Sequence, residues 1–119
     1  MNHTFYHYPR CSTCVKAKKW LASQGVEVTA INLAEAPPTK QQLKKIHETS
    51  GKPMKALFNT SGQSYRNGSF KDKLPTMTQD EQLKALAADG MLIKRPILVL
   101  GNKSLIGFKL TEWEEGLLP

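Results

Sequence analysis

The stretch Thr4-Phe5-Tyr6-His7-Tyr8-Pro9-Arg10-Cys11-Ser12-Thr13-Cys14 decides how this chain is read. Thr4 to Tyr8 is β-branched and aromatic, the composition of a strand. Pro9 ends it, because a proline has no N–H to give a ladder. From about Ser12 the pattern turns helical. Cys14, Ala17, Leu21 and Gln24 fall along one face, with Lys16, Lys18 and Lys19 largely elsewhere. Gly25 stands where a C′ glycine closes such a helix. Val26 to Ile31 then alternates at period two, so the first third reads as a β-α-β unit. The pair Cys11-x-x-Cys14 sits at the junction of its first strand and its helix.

That junction has a chemical meaning. A helix N-terminus offers unsatisfied N–H groups and the positive end of the macrodipole, and both stabilise a thiolate. Cys11 is expected at or just before that end and exposed; Cys14, three residues on, is expected on the same side and sheltered. Arg10, Lys16 and His7 add positive charge nearby. Cys11 is therefore the expected nucleophile and Cys14 the resolving thiol, an assignment that rests on strand-to-helix context rather than on spacing. Two rivals stand beside it. Zinc would need ligands from His3, His7 or His47 to complete a set of four, and two incidental buried thiols would need no function.

The bulk numbers restrict the rest. A chain of 119 residues, 39% hydrophobic and 23% charged, reads as one globular domain with a single core. No run of about 18 apolar residues could span a bilayer as a helix. The opening Met1-Asn2-His3-Thr4 lacks the basic and apolar regions of a secretory signal, so the expected compartment is the cytoplasm. Thiols stay reduced there, and a loop this short gives a bridge little entropic leverage, so a structural staple is the wrong reading of the pair. The net charge of +7 comes from 17 Lys and Arg, 14 of them Lys, against 10 Asp and Glu. It reads as a solvated surface with some attraction for acidic partners; no nucleic-acid motif accompanies it.

The middle of the chain is expected to be helical. Thr39-x-x-Gln42 and Thr78-x-x-Glu81 match the capping box, and Asn59 to Gly68 reads as a polar surface loop. Pro96 to Leu100, the turn Gly101-Asn102 and Lys103 to Gly107 read as a hairpin. A third box, Thr111-x-x-Glu114, is expected to start a last helix carrying Trp113, Leu117 and Leu118.

With these residues in view, the chain resembles the arsenate reductase family that also contains the Spx regulators. The likeness runs through Tyr6 to Cys14, Pro37-Pro38, Gly51, Lys55-Ala56-Leu57-Phe58-Asn59, Lys94-Arg95-Pro96-Ile97 and Gly107-Phe108. It implies an α/β, thioredoxin-like mixed sheet (β-α-β … β-β-α) with a helical insertion at about 37–92, between the second and third strands. It implies a cis peptide before Pro96, opposite the cysteines. Carried over by position, Cys11 falls on the family's nucleophile and His7 on a histidine that helps activate it. Arg95 falls on one of three arginines that grip the oxyanion in the reductases. Asn59 stands where the second arginine would be, and Gly107 or a neighbour replaces the third. A tetrahedral dianion needs several charge-assisted donors, which Asn and Gly do not supply. Cys14 departs from the glutathione-dependent reductases, where serine is usual, and matches the Spx type.

The resemblance leaves two functions open. One is a thiol oxidoreductase that needs no bound cofactor and takes electrons from an external thiol, glutathione with glutaredoxin, or thioredoxin. The other is a redox-switched partner of the RNA polymerase α subunit, with Gly51 as a candidate contact. That glycine also serves simply as a helix stop before Lys52-Pro53.

Overall fold

The computed structural model describes residues 3–117; Leu118, expected in the last helix, lies outside the described residues. Strand β1 is His3–His7, helix α1 Ser12–Ser23 and strand β2 Val28–Asn32. Four helices follow: α2 Lys40–Ser50, α3 Gln63–Asn67, α4 Phe70–Lys73 and α5 Gln79–Ala88. Short 3-10 turns cover Met54–Leu57, Leu74–Thr76 and Gly90–Leu92. The hairpin β3 Ile97–Leu100 and β4 Lys103–Ile106 leads into α6 Leu110–Leu117. The sheet order is β2-β1-β3-β4, with β1 and β2 parallel and the other pairs antiparallel. This is a mixed α/β, thioredoxin-like sheet with a helical insertion between its second and third strands.

The pleat separates two cores. Tyr6 pairs with Ile97 and packs under the insertion with Leu43, Ile46, Leu57, Phe58 and Leu86. Phe5 pairs with Leu98 and packs on the other face with Ala17 and Leu21 of α1 and Trp113 of α6. Leu105 and Ile106 repeat the division one strand further out, each packing against a different cluster.

Three sequence expectations need correction. The second strand begins at Val28, not Val26, because the end of α1 consumes two residues. Gly25 takes φ +70°, its N–H bonds Ala22 O (3.1 Å), and Val26 N–H reaches back to Leu21 O (3.0 Å), the two bonds of a Schellman motif. The stretch 59–68 is not a plain loop but contains α3. Tyr65 is buried there with its ring 6.4 Å from Phe58 and 6.0 Å from Phe70, an aromatic anchor inside a polar sequence. Thr111 does not cap α6. The helix starts earlier, with Trp113 N–H bonded to Lys109 O (3.0 Å), and Thr111 lies within it. The other two capping boxes close at both ends, on Thr39/Gln42 and Thr78/Glu81.

Gly90 marks the tightest backbone approach. A Cβ there would lie 1.8 Å from the carbonyl oxygen of Leu33, the residue that follows β2. Gly90→Ala should therefore destabilise the fold by about 2 kcal/mol or more, since backbone must move to admit the methyl. Gly25→Ala, where open space surrounds the Cβ and only the positive φ resists, should cost about 1 kcal/mol. Urea denaturation of both variants checks the order; equal losses would contradict it.

Candidate active site

The strand-to-helix junction is built by one turn. Cys11 N–H bonds Tyr8 O at 2.9 Å, closing Tyr8-Pro9-Arg10-Cys11, with Pro9 at the position where its fixed φ suits a β-turn. The turn sets Cys11 at the N-cap of α1 (φ −83°, ψ 118°), a place usually held by Ser, Thr, Asp or Asn. Val15 N–H bonds Cys11 O (3.0 Å), so the helix is engaged from its first residue. Both cysteines are free thiols, Cys11 half-buried and Cys14 buried. Cys11 is thus less open than the sequence suggests.

The two thiols are driven apart in acidity. Burial works to raise the Cys11 pKa, but it is outweighed. The Cys14 backbone N–H, the Cys14 thiol, the positive charge of Arg95 and the Thr13 N–H all favour the thiolate, and Cys11 titrates below the ordinary thiol range. Cys14 is pushed up to about 12, first by its own burial and further by donating its proton to Cys11 and facing the charge there. Tyr8 N–H and Arg95 offset only part of that rise. One sulfur is prepared to be an anion and the other to keep its proton.

Arg95 is the cation that reaches both sulfurs; Arg10 is exposed in the turn and Lys16 on the helix, and neither is among the groups that shift them. The Arg95–Pro96 peptide is cis. The segment is held on both sides. Before it, Phe58 bridges Ile93, Lys94 N–H bonds Leu57 O (2.8 Å) and Asn59 N–H bonds Leu92 O (2.8 Å). After it, Gly107 N–H bonds Pro96 O (2.8 Å), and the Trp113 indole N–H bonds Gly107 O (2.7 Å), tying α6 to the same step. The Arg95 guanidinium lies 5.3 Å over the Tyr8 ring, and its Nη1 donates to Met91 O at 3.3 Å. Its Nε is buried with no partner.

Tyr8 is the residue the sequence reading missed as a site member. Its carbonyl closes the turn, its N–H favours the Cys14 thiolate and its ring backs Arg95. The Tyr8-Pro9 step before a Cys-x-x-Cys was the available signal, since a tyrosine ahead of a turn proline has its backbone and ring both free to serve.

His7 ends β1 with its ring 5.4 Å from Phe5. Burial and then the charge of Lys18 lower its pKa, so it is neutral near pH 7 and adds no positive charge to the thiols. Among the described residues its ring hydrogen-bonds neither sulfur. Gly51 lies apart from this cluster, exposed at the C-cap of α2 with φ +69°. Asn59 packs against Gly62, where a Cβ would lie 2.6 Å from its Nδ2, and Gly107 brings only backbone. Among the described residues no group of three or more His, Cys, Asp or Glu comes together to hold a metal, and no helix is long and apolar enough to cross a membrane.

The fold and the paired thiols define a thioredoxin-like protein of the thiol-redox class. The ArsC family model matches residues 6–116, and the chain belongs to that family. It is 53% identical to the uncharacterized protein YusI of Bacillus subtilis, covering 97% of this chain and 98% of the relative. It is 33% identical to the regulatory protein MgsR of Bacillus subtilis, covering 88% and 82%. To an arsenate reductase of Escherichia coli it is 32% identical, covering 86% and 72%. The crystal structure of an ArsC family related protein from Bacteroides fragilis aligns with TM-score 0.93 and 46% identity over 97% of each chain.

Iodoacetamide should alkylate Cys11 well before Cys14, with a pH midpoint below that of a free thiol. Arg95→Ala should shift that midpoint upward and make the Cys11–Cys14 disulfide harder to reduce, because the thiolate loses its counter-charge. Peptide mass mapping of timed alkylations reads both effects. A faster Cys14, or an unchanged midpoint in the variant, would contradict the assignment.

Proposed function

We propose that the protein is a thiol–disulfide oxidoreductase with Cys11 as nucleophile and Cys14 as resolving thiol. The observation that carries this is the placement of Cys11 at the N-cap of α1, with the buried Cys14 thiol one turn in and the Arg95 charge beside both. The Cys11 thiolate attacks one sulfur of a disulfide substrate, forming a mixed disulfide and releasing the other sulfur as a thiolate that takes up a proton. Cys14 then loses its proton as its sulfur attacks that of Cys11, and the second substrate sulfur leaves as a thiol. The substrate gains two electrons and two protons, and the protein closes the Cys11–Cys14 disulfide. An external thiol reductant returns the two electrons: glutathione with glutaredoxin, or thioredoxin. Arg95 steadies the thiolate, Pro96 fixes the backbone facing it, and neutral His7 is the group proposed to accept the proton as Cys11 ionises. Arg10 is left a peripheral part in the electrostatics.

Arsenate is not the proposed substrate. Arg95 is the one guanidinium at the thiols among the described residues; Asn59 and Gly107 bring no charge, and Lys103 Nζ donates to Gly116 O (3.4 Å) of α6. Reduced protein mixed with a small disulfide should lose both free thiols with one-to-one substrate reduction, while arsenate should turn over negligibly with either reductant system. Arsenate turnover, or loss of only one thiol, would overturn the proposal.

A second reading is favoured by the likeness to MgsR and by the exposed Gly51: a redox-switched partner of the RNA polymerase α subunit that turns nothing over. Its mark would be association with purified α subunit that changes on oxidation and is lost in Gly51→Arg. The oxidoreductase reading expects no such association.

A further inference from the structure

A cavity of about 250 Å³ opens between the end of α2, the turn Met54–Leu57 and the start of α6. Lys52, Lys55, Lys94 and Lys109 line it together with one carboxylate, Glu112, over a floor that includes Phe58 and Ile106. Neither cysteine nor Arg95 is part of its wall. The four lysines come from three stretches of chain, Lys52 with Lys55, Lys94, and Lys109, so the fold collects them.

Four positive charges facing one negative charge leave an excess of three around one small space. Glu112 is shared, 3.2 Å from Lys52 Nζ and 3.8 Å from Lys109 Nζ. Lys55 and Lys94 have no carboxylate partner among the described residues. Like charges brought to one cavity repel and work against folding, so the arrangement gains most when an anion enters. Glu112 shows which anion the lysine heads accept here, an organic carboxylate. The apolar floor suits carbon rather than a bare inorganic ion, and the volume suits a ligand smaller than a drug-sized molecule. The two uncommitted lysines match a second and a third acidic group only if these are small and close together.

We propose that this cavity binds a small organic ligand carrying two carboxylates. Two sources share that chemistry. One is the acidic portion of a low-molecular-weight thiol that exchanges with Cys11, a source that rests on the proposed oxidoreductase function. The other is a free polycarboxylate that binds without exchange. Lys94 directly precedes Arg95 in the chain.

Calorimetric titration of the full chain with glutarate, with S-methylglutathione and with inorganic phosphate tests the site itself, because none of these probes needs an active thiol. Saturable binding of an organic probe, weakened by added salt and about tenfold or more by Lys55→Glu/Lys94→Glu, is the expected result. Lys55→Ala/Lys94→Ala keeps the test open should charge reversal unfold the chain. Absence of saturable binding by both organic probes, binding untouched by the substitutions, or phosphate binding as tightly as the organic acids would overturn the proposal. Reduction of the oxidised protein by glutathione and by uncharged 2-mercaptoethanol separates the sources. A loss of about tenfold confined to glutathione assigns the thiol. Unchanged rates with lost binding assign a free polycarboxylate. A protein that forms no disulfide would sink the redox reading and leave the titration to decide the site.

Discussion

The attraction between the Cys11 sulfur and the start of a helix is the interaction on which this structure depends. Every other part of the site serves to bring a positive field to that atom or to keep its neighbour protonated. The Tyr8–Cys11 turn puts the sulfur at the N-cap, where the Thr13 and Cys14 N–H groups meet it instead of a hydroxyl. The packing of Ala17 and Leu21 on Phe5 holds the helix to the sheet at that angle. The Arg95–Pro96 step is braced by the insertion on one side and by Gly107 and Trp113 on the other, which sets a guanidinium charge against the same sulfur. Cys14, one turn in and buried, pays for none of this in charge; it remains a thiol and donates to the anion.

Much of that scaffold was legible in the sequence because it is written in local chemistry. A β-branched and aromatic run showed β1, the two threonine boxes showed α2 and α5, and Gly25 and Gly101 marked a helix end and a hairpin through the positive φ each adopts. What failed was decided by tertiary packing or by competition for backbone groups. Val26 looked like a strand residue until its N–H was claimed by Leu21. Tyr65 is buried in a polar stretch because Phe58 before it and Phe70 after it receive its ring. Thr111 had the spacing of a cap, but Trp113, buried and bonded to Gly107, drew the helix start back towards Lys109.

The site followed the same division. Cys11, Cys14, Arg95 and Pro96 came from the motif and the family resemblance, and the structure sets the Arg95 charge against both thiols. The role of Arg10 could not be read from adjacency in the chain. Arg10 neighbours Cys11 in sequence yet stays exposed, whereas Arg95, more than eighty residues away, supplies the charge. Charge near a cysteine is a property of the folded surface, and a list of nearby lysines does not reveal it. The lysines around Glu112 make the same point, since four of the fourteen share one cavity that no run of sequence announces.

Trapping the exchange at its midpoint tests the division of labour between the thiols most directly. Cys14→Ser and Cys11→Ser proteins, each treated with a small disulfide and analysed by intact mass, differ in which can start the reaction and which can finish it. The account predicts that Cys14→Ser accumulates a stable mixed disulfide on Cys11, while Cys11→Ser, left with a thiol that burial keeps protonated and hard to reach, stays unmodified over the same time. A mixed disulfide forming as fast on Cys14 as on Cys11 would contradict it.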